Sequence, residues 1–210
     1  MLIAPNSLLL MTGDSITDCG RAHPVGEAPR GLGDGYVSLV HALTAASHPL
    51  RVLNTGLGGD TVADLAARWD RDVLALRSDW LSVMIGVNDV WRWFDPAWRD
   101  LHVPLSLFSS TLEDLVKRAR PRLQGLVLMS PFYLQPDRAD PMRSMLDEYG
   151  AAMRGIAERN DALFVDTQAA FDALMLELPA SALSDDRVHP NLTGHTLLAR
   201  EFLKAVGFNG

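Results

Sequence analysis

Five short apolar runs punctuate the chain, at residues 8–12, 51–55, 80–85, 125–130 and 163–166. They are apolar at consecutive positions rather than alternate ones, as strands read when both faces of their sheet are covered. Longer stretches with helical spacing lie between them. Tyr36, Val40 and Leu43 predict a helix over 36–46; Leu65, Trp69, Val73 and Leu76 predict one over 62–76. Leu112, Leu115 and Val116 mark 111–119, and Met145, Leu146, Tyr149, Met153 and Ile156 mark 142–159. A last helix over 192–206 follows His189-Pro190, where proline suits a helix entry. Strands alternating with helices predict an α/β fold, a parallel five-stranded sheet layered between helices.

The connections 19–34, 91–104 and 131–141 all follow apolar runs, which places them at the carboxyl edge of the sheet, where open α/β folds bind ligands. Ser15, Gly59 and Asn88 stand just after the first three runs, so the same rim gathers polar groups from distant parts of the chain. Ser15, in a Gly-Asp-Ser turn, is the candidate nucleophile. A serine hydroxyl is weak at neutral pH and needs a base, a group to orient that base, and donors for the oxyanion. His189 and Asp186 are three residues apart in Asp-Arg-Val-His-Pro and supply the first two. The stretches 54–61 and 86–89 supply candidate donors.

Each of these residues also has a plainer reading. Ser15 is a common helix cap, Gly56, Gly58 and Gly59 make a tight turn, and Asn88 suits an Asx turn. His189 can simply open a helix, and Asp185 competes with Asp186 to orient it. Asp14 reads as a partner for backbone donors in the turn, and Asp18 as solvated. His195, six residues beyond His189, has poor spacing for a metal pair and reads as a satisfied or exposed histidine.

Composition narrows the function classes. A 210-residue chain with 48% hydrophobic and 21% charged residues suits one globular domain spanning 1–210. A formal charge of -7 without a basic stripe argues against nucleic acid. Cys19 is the only cysteine, which excludes an internal disulfide and any CxxC site; with an N-terminus that has no basic region, this points to a cytoplasmic protein that does not engage a membrane. No metal or cofactor is expected. Gly56-Leu57-Gly58-Gly59 follows a strand-like run, but Thr61 stands where a dinucleotide site needs glycine, and no Walker lysine follows.

Gly13-Asp14-Ser15-Ile16, Gly59 in Asn-Thr-Gly-Leu-Gly-Gly-Asp-Thr, Asn88 in Gly-Val-Asn-Asp, and Asp186 with His189 resemble the four blocks of the SGNH (GDSL-type) hydrolases, in family order. The resemblance implies a three-layer, flavodoxin-like SGNH fold with Ser15, His189 and Asp186 as a triad. It also implies an oxyanion hole from the Ser15 and Gly59 N–H groups and the Asn88 amide, and the family spacing selects Asp186 over Asp185. Further stretches, among them Ala-Arg-Trp-Asp-Arg-Asp-Val at 67–73, Ile-Gly-Val-Asn-Asp-Val-Trp-Arg at 85–92 and Asp-Pro-Met-Arg at 140–143, look like the intracellular acetylxylan esterases of that family. The implied substrate is a small acetylated sugar, and the implied assembly a homo-oligomer. Trp91, Trp93, Phe94 and Trp98 can stack on a sugar or serve as core or subunit contacts, and Pro131-Phe132-Tyr133 offers a second wall. Asp14, Trp91, Trp93 and Tyr133 are the candidate substrate contacts. Asp185 departs from the pattern, standing where those esterases carry an aromatic residue.

Overall fold

A computed structural model describes residues 1–208; the last two residues of the expected 1–210 domain lie outside them. All five expected strands form: β1 (Leu8–Gly13), β3 (Arg51–Asn54), β4 (Trp80–Met84), β5 (Gly125–Met129) and β6 (Leu163–Val165). They pair in parallel, and the sheet order is β2-β3-β1-β4-β5-β6. The sixth member, β2 (Gly26–Glu27), was not expected. It lies inside the first long connection and pairs antiparallel with β3 over two residues, too short to leave a periodic signature.

The strand order fixes where the helices go. The chain steps from β1 to β3 in one direction through α2 (Tyr36–Ala45), then reverses through α3 (Val62–Asp72), α5 (Leu105–Ala119) and α6 (Pro141–Arg159) toward β4, β5 and β6. Right-handed crossovers therefore put α2 on one face of the sheet and α3, α5 and α6 on the other. The contacts agree: α2 packs with α8 (Leu192–Ala205) and α8 with α7 (Thr167–Leu174), while α3 packs with α5 and α5 with α6. Covering both faces buries successive residues, so Leu9, Leu10 and Met11 of β1 are all fully buried. The reversal at β1 opens the crevice at the carboxyl ends of β3, β1 and β4 that α/β folds use for ligands.

Helix ends differ from expectation where no side chain announces them. α4 (Val87–Phe94) extends into the expected connection 91–104; its cap is Gly86, which has no side chain to bond the first turn. α5 begins six residues before the expected 111, after Pro104, again without a capping side chain. The expected helix 62–76 is α3 followed by a 3₁₀ turn at Leu74–Leu76. Among the described residues, no helix is long and apolar enough to cross a membrane.

Candidate active site

β1 ends at Gly13, and only glycine fits there, because a Cβ would stand 2.1 Å from the Met84 carbonyl oxygen of β4. Asp14 then caps the single turn α1 (Ser15–Asp18), its Oδ1 accepting the Ile16 N–H at 3.0 Å. That turn lifts Ser15 to the rim. The loop before α8 brings His189 to it from the other end of the chain, with Ser15 Oγ 2.8 Å from His189 Nε2.

His189 Nδ1 lies 2.6 Å from Asp186 Oδ2. Burial raises the Asp186 carboxyl, but the His189 ring, the Val188 and His189 N–H groups and the Ser184 hydroxyl together hold it well below the usual range. A group so readily ionised only accepts, so the ring proton sits on Nδ1 and Nε2 is free to accept from the serine. Asp185, the alternative orienter, is exposed and stands outside this chain of bonds.

The glycine loop after β3 is tied down donor by donor. Thr55 N–H donates to Met11, Gly56 to Asn54 Oδ1, Leu57 to Gly13, Gly58 to Asp18 Oδ2, Asp60 to Leu57, Thr61 to Asp64 and Val62 to Asp89. Between residues 55 and 62, the Gly59 N–H alone finds no protein acceptor among the described residues. Gly59 takes a left-handed φ of +82°, which glycine adopts without strain. Asn88, buried on the first turn of α4, donates from Nδ2 to the Asp60 carbonyl at 3.0 Å, and an amide has a second N–H to offer.

Other expectations sort by burial. Asp14 is 1% exposed, and its Oδ1 is taken up by the turn backbone. Asp18 is not simply solvated: its Oδ2 fixes Gly58, and Oδ1 accepts the Arg21 N–H. His195 is buried and stacks on Tyr36, whose N–H donates to its Nδ1 at 3.2 Å; desolvation, with the charge of His189 second, pushes it down to about 4 and keeps it neutral. Cys19 Sγ lies 3.5 Å from its Nε2.

A cavity of about 300 Å³ beside Asp186 is lined by Trp91, Phe94, Tyr133, Met142 and Val188. Trp93 faces elsewhere, tilted against His102 with Arg99 over its ring. Phe132 turns into the core against Phe171, so of the 131–133 stretch only Tyr133 reaches this cavity. Its backbone is held by Gln168 of α7, which accepts its N–H at 2.8 Å and donates to its carbonyl at 3.2 Å.

Several structural partners of the site escaped sequence reasoning. Asp89 is buried and caps α3 with both oxygens, 3.0 and 3.2 Å from the Val62 nitrogen. Arg92 holds the Gly59 carbonyl at 2.8 Å. Arg68, inside the 67–73 stretch, had only its place in that stretch to mark it.

The GDSL-like Lipase/Acylhydrolase family matches residues 11–197. The chain belongs to this family. It is 49% identical over 213 residues to a curated acetylxylan esterase of Geobacillus stearothermophilus, covering 99% of this chain and 97% of that protein. The crystal structure of Axe2, an acetylxylan esterase from the same organism, superposes with a TM-score of 0.97 at 48% identity, over 100% of this chain and 98% of that one. LAE5, an alpha/beta hydrolase from the metagenome of Lake Arreo in Spain, gives 0.96 at 44% identity, with both chains fully covered. Catalytic mutants of Axe2 have been solved with a serine, an aspartate or a histidine replaced by alanine. That serine carries the number 15 there too, and the aspartate and histidine are three residues apart, as Asp186 and His189 are here. A tryptophan directly precedes that aspartate in Axe2, where this chain has Asp185. The chain is a serine ester hydrolase with a Ser-His-Asp triad.

Proposed function

We propose that this esterase removes acetyl groups from acetylated xylose units on short xylo-oligosaccharides. The observation that carries it is the unbroken Ser15–His189–Asp186 relay beside the Gly59 donor, in a chain nearly half identical to an acetylxylan esterase. In the reaction, Ser15 Oγ attacks the acetyl carbonyl and gives its proton to His189 Nε2. The oxyanion is met by the Ser15 and Gly59 N–H groups and the Asn88 amide. His189 then protonates the departing sugar oxygen. Water repeats the sequence on the acetyl-serine, releasing acetate and restoring the hydroxyl. Asp186 orients the ring and stabilises its charged form.

The cavity of Trp91 and Tyr133 supports a sugar site, since aromatic faces stack on the apolar side of a pyranose. Trp93, Trp98 and Leu101 are exposed apolar side chains that suit contact with a second copy of the chain, and a homo-oligomer is part of the proposal. So are a single hydrolase domain, supported by the continuous sheet, and a cytoplasmic setting, supported by the lone unpaired Cys19. The test is acetate release from acetylated xylo-oligosaccharides, with Ser15→Ala expected to fold and to release none. Undiminished release by that variant would remove the nucleophile. Faster turnover of long acyl esters by the wild type would replace the sugar by a lipid-like substrate.

A further inference from the structure

Arg68 belongs to none of the groups that touch substrate, yet its guanidinium lies at the junction of the loops that carry them. It is 6% exposed and makes four hydrogen bonds from α3, two to carbonyls and two to carboxylates. Nη2 donates to the Gly13 carbonyl at 3.0 Å, at the end of the strand that presents Ser15. Nη1 donates to the Thr55 carbonyl at 2.6 Å, where the glycine loop leaves β3. Nε donates to Asp60 Oδ2 at 2.6 Å, at the far end of that loop and next to Gly59. The same Asp60 accepts the Asn88 amide on its carbonyl at 3.0 Å, which extends the link to the third donor. The Asp72 carboxylate, 3.3 Å from Nη1 on the next helical turn, supports the guanidinium from behind.

We infer that Arg68 is a positioning residue for the oxyanion hole: one planar cation sets the spacing between the Ser15 and Gly59 donors by bonding the segments that carry them, and reaches the Asn88 donor through Asp60. The Gly13 carbonyl is shared with the Leu57 N–H at 3.0 Å, so β1 and the glycine loop are joined both directly and through Arg68. Lysine keeps the charge but has no fork, and a point charge cannot hold the Gly13, Thr55 and Asp60 oxygens in their present directions. An oxyanion hole works only where its donors already aim at the developing charge, and small misplacements of them fall on the transition state rather than on substrate binding.

This inference rests on the serine-esterase reading, and the experiment separates the two. Wild type, Arg68→Lys and Asp72→Asn are assayed on an aryl acetate, with working sites counted by the acyl-enzyme burst and Ser15 labelling followed with a phosphonate. A wild type that neither turns over nor labels defeats the esterase reading. With an active wild type, Arg68→Lys is expected to lose on the order of 10²-fold in kcat per counted site, with KM nearly unchanged and phosphonate labelling slowed in parallel. Asp72→Asn, which loosens only the rear support, is expected to lower Tm while each counted site keeps its turnover. A merely structural role predicts fewer working sites with normal turnover in each, and that result in Arg68→Lys overturns the inference. Should Arg68→Lys not fold, Asp60→Asn weakens the same link, and normal kcat per site in that variant overturns it equally.

Discussion

Asp14 shows how one side chain next to a nucleophile is fixed by its surroundings. Burial pushes its carboxyl up to about 7, against the Ile16 N–H and the charge of His189 that draw it down. Asp89, beneath the same rim, is likewise raised to about 7 by burial, against the Val62 N–H that it caps. Folded carboxyls with raised pKa bind protons that the unfolded chain has released. Their contribution to stability is thus complete below about pH 4 and is lost as pH rises through about 7. Asp14→Asn cannot ionise, so it should gain stability relative to wild type between pH 5 and pH 8, as read by urea unfolding at each pH. A difference that stays constant over that range would mean that Asp14 does not titrate there. Neither burial nor pairing can be read from Gly-Asp-Ser as letters, which is why Asp14 also looked like a possible substrate contact and Asp18 like a solvated one.

Whole elements were legible in proportion to their apolar periodicity. Long α6 was placed to within a residue because Leu146, Tyr149, Met153 and Ile156 form a continuous buried stripe. In α4, Val87 and Val90 face the core while Trp91 and Trp93 lie outside, so its largest apolar side chains argue against the true buried face. α6 is also joined to its neighbours by a buried cation. Arg143 is 2% exposed and bonds Asp147 on its own helix, Asp172 on α7 and the Gln135 carbonyl in the connection that carries Tyr133. Removing the guanidinium strips Asp147 of its cation and leaves Asp172 with Arg138 and Gln168 alone, both carboxylates being partly open to water. Arg143→Met should therefore lose about 3 kcal/mol, at the low end for a buried pair, measured by chemical denaturation. An unchanged midpoint would show that the network adds nothing net to the fold.

At the scale of the whole molecule, β1 is central, flanked by β3 and β4, and the three strand ends bring Ser15, Gly59 and Asn88 to one crevice. The final loop closes over it with Asp186 and His189, and α4, α6 and the connection after β5 add the aromatic cavity beside it. On the proposed function, this arrangement separates chemistry from sugar recognition. Trp91→Ala should raise KM for an acetylated xylo-oligosaccharide roughly 3- to 10-fold, the range of an aromatic contact, while leaving kcat/KM for a small aryl acetate nearly unchanged. Equal losses on both substrates would place Trp91 in the reaction centre rather than in the sugar site.

The amino-acid sequence by itself determined the five parallel strands, because short apolar runs bounded by turn residues are a local pattern; it offered Ser15, His189 and Asp186 as candidates, and the family resemblance, not spacing alone, joined them as a triad and set Asp186 above Asp185. Only the tertiary structure decided which donor in the glycine loop stays free, which aromatic side chains face the cavity, and that Arg68 ties the ends of β1 and β3 to the far end of the glycine loop. Those facts depend on strand order and on contacts between residues dozens of positions apart. Local periodicity says that a segment is buried but not what lies against it.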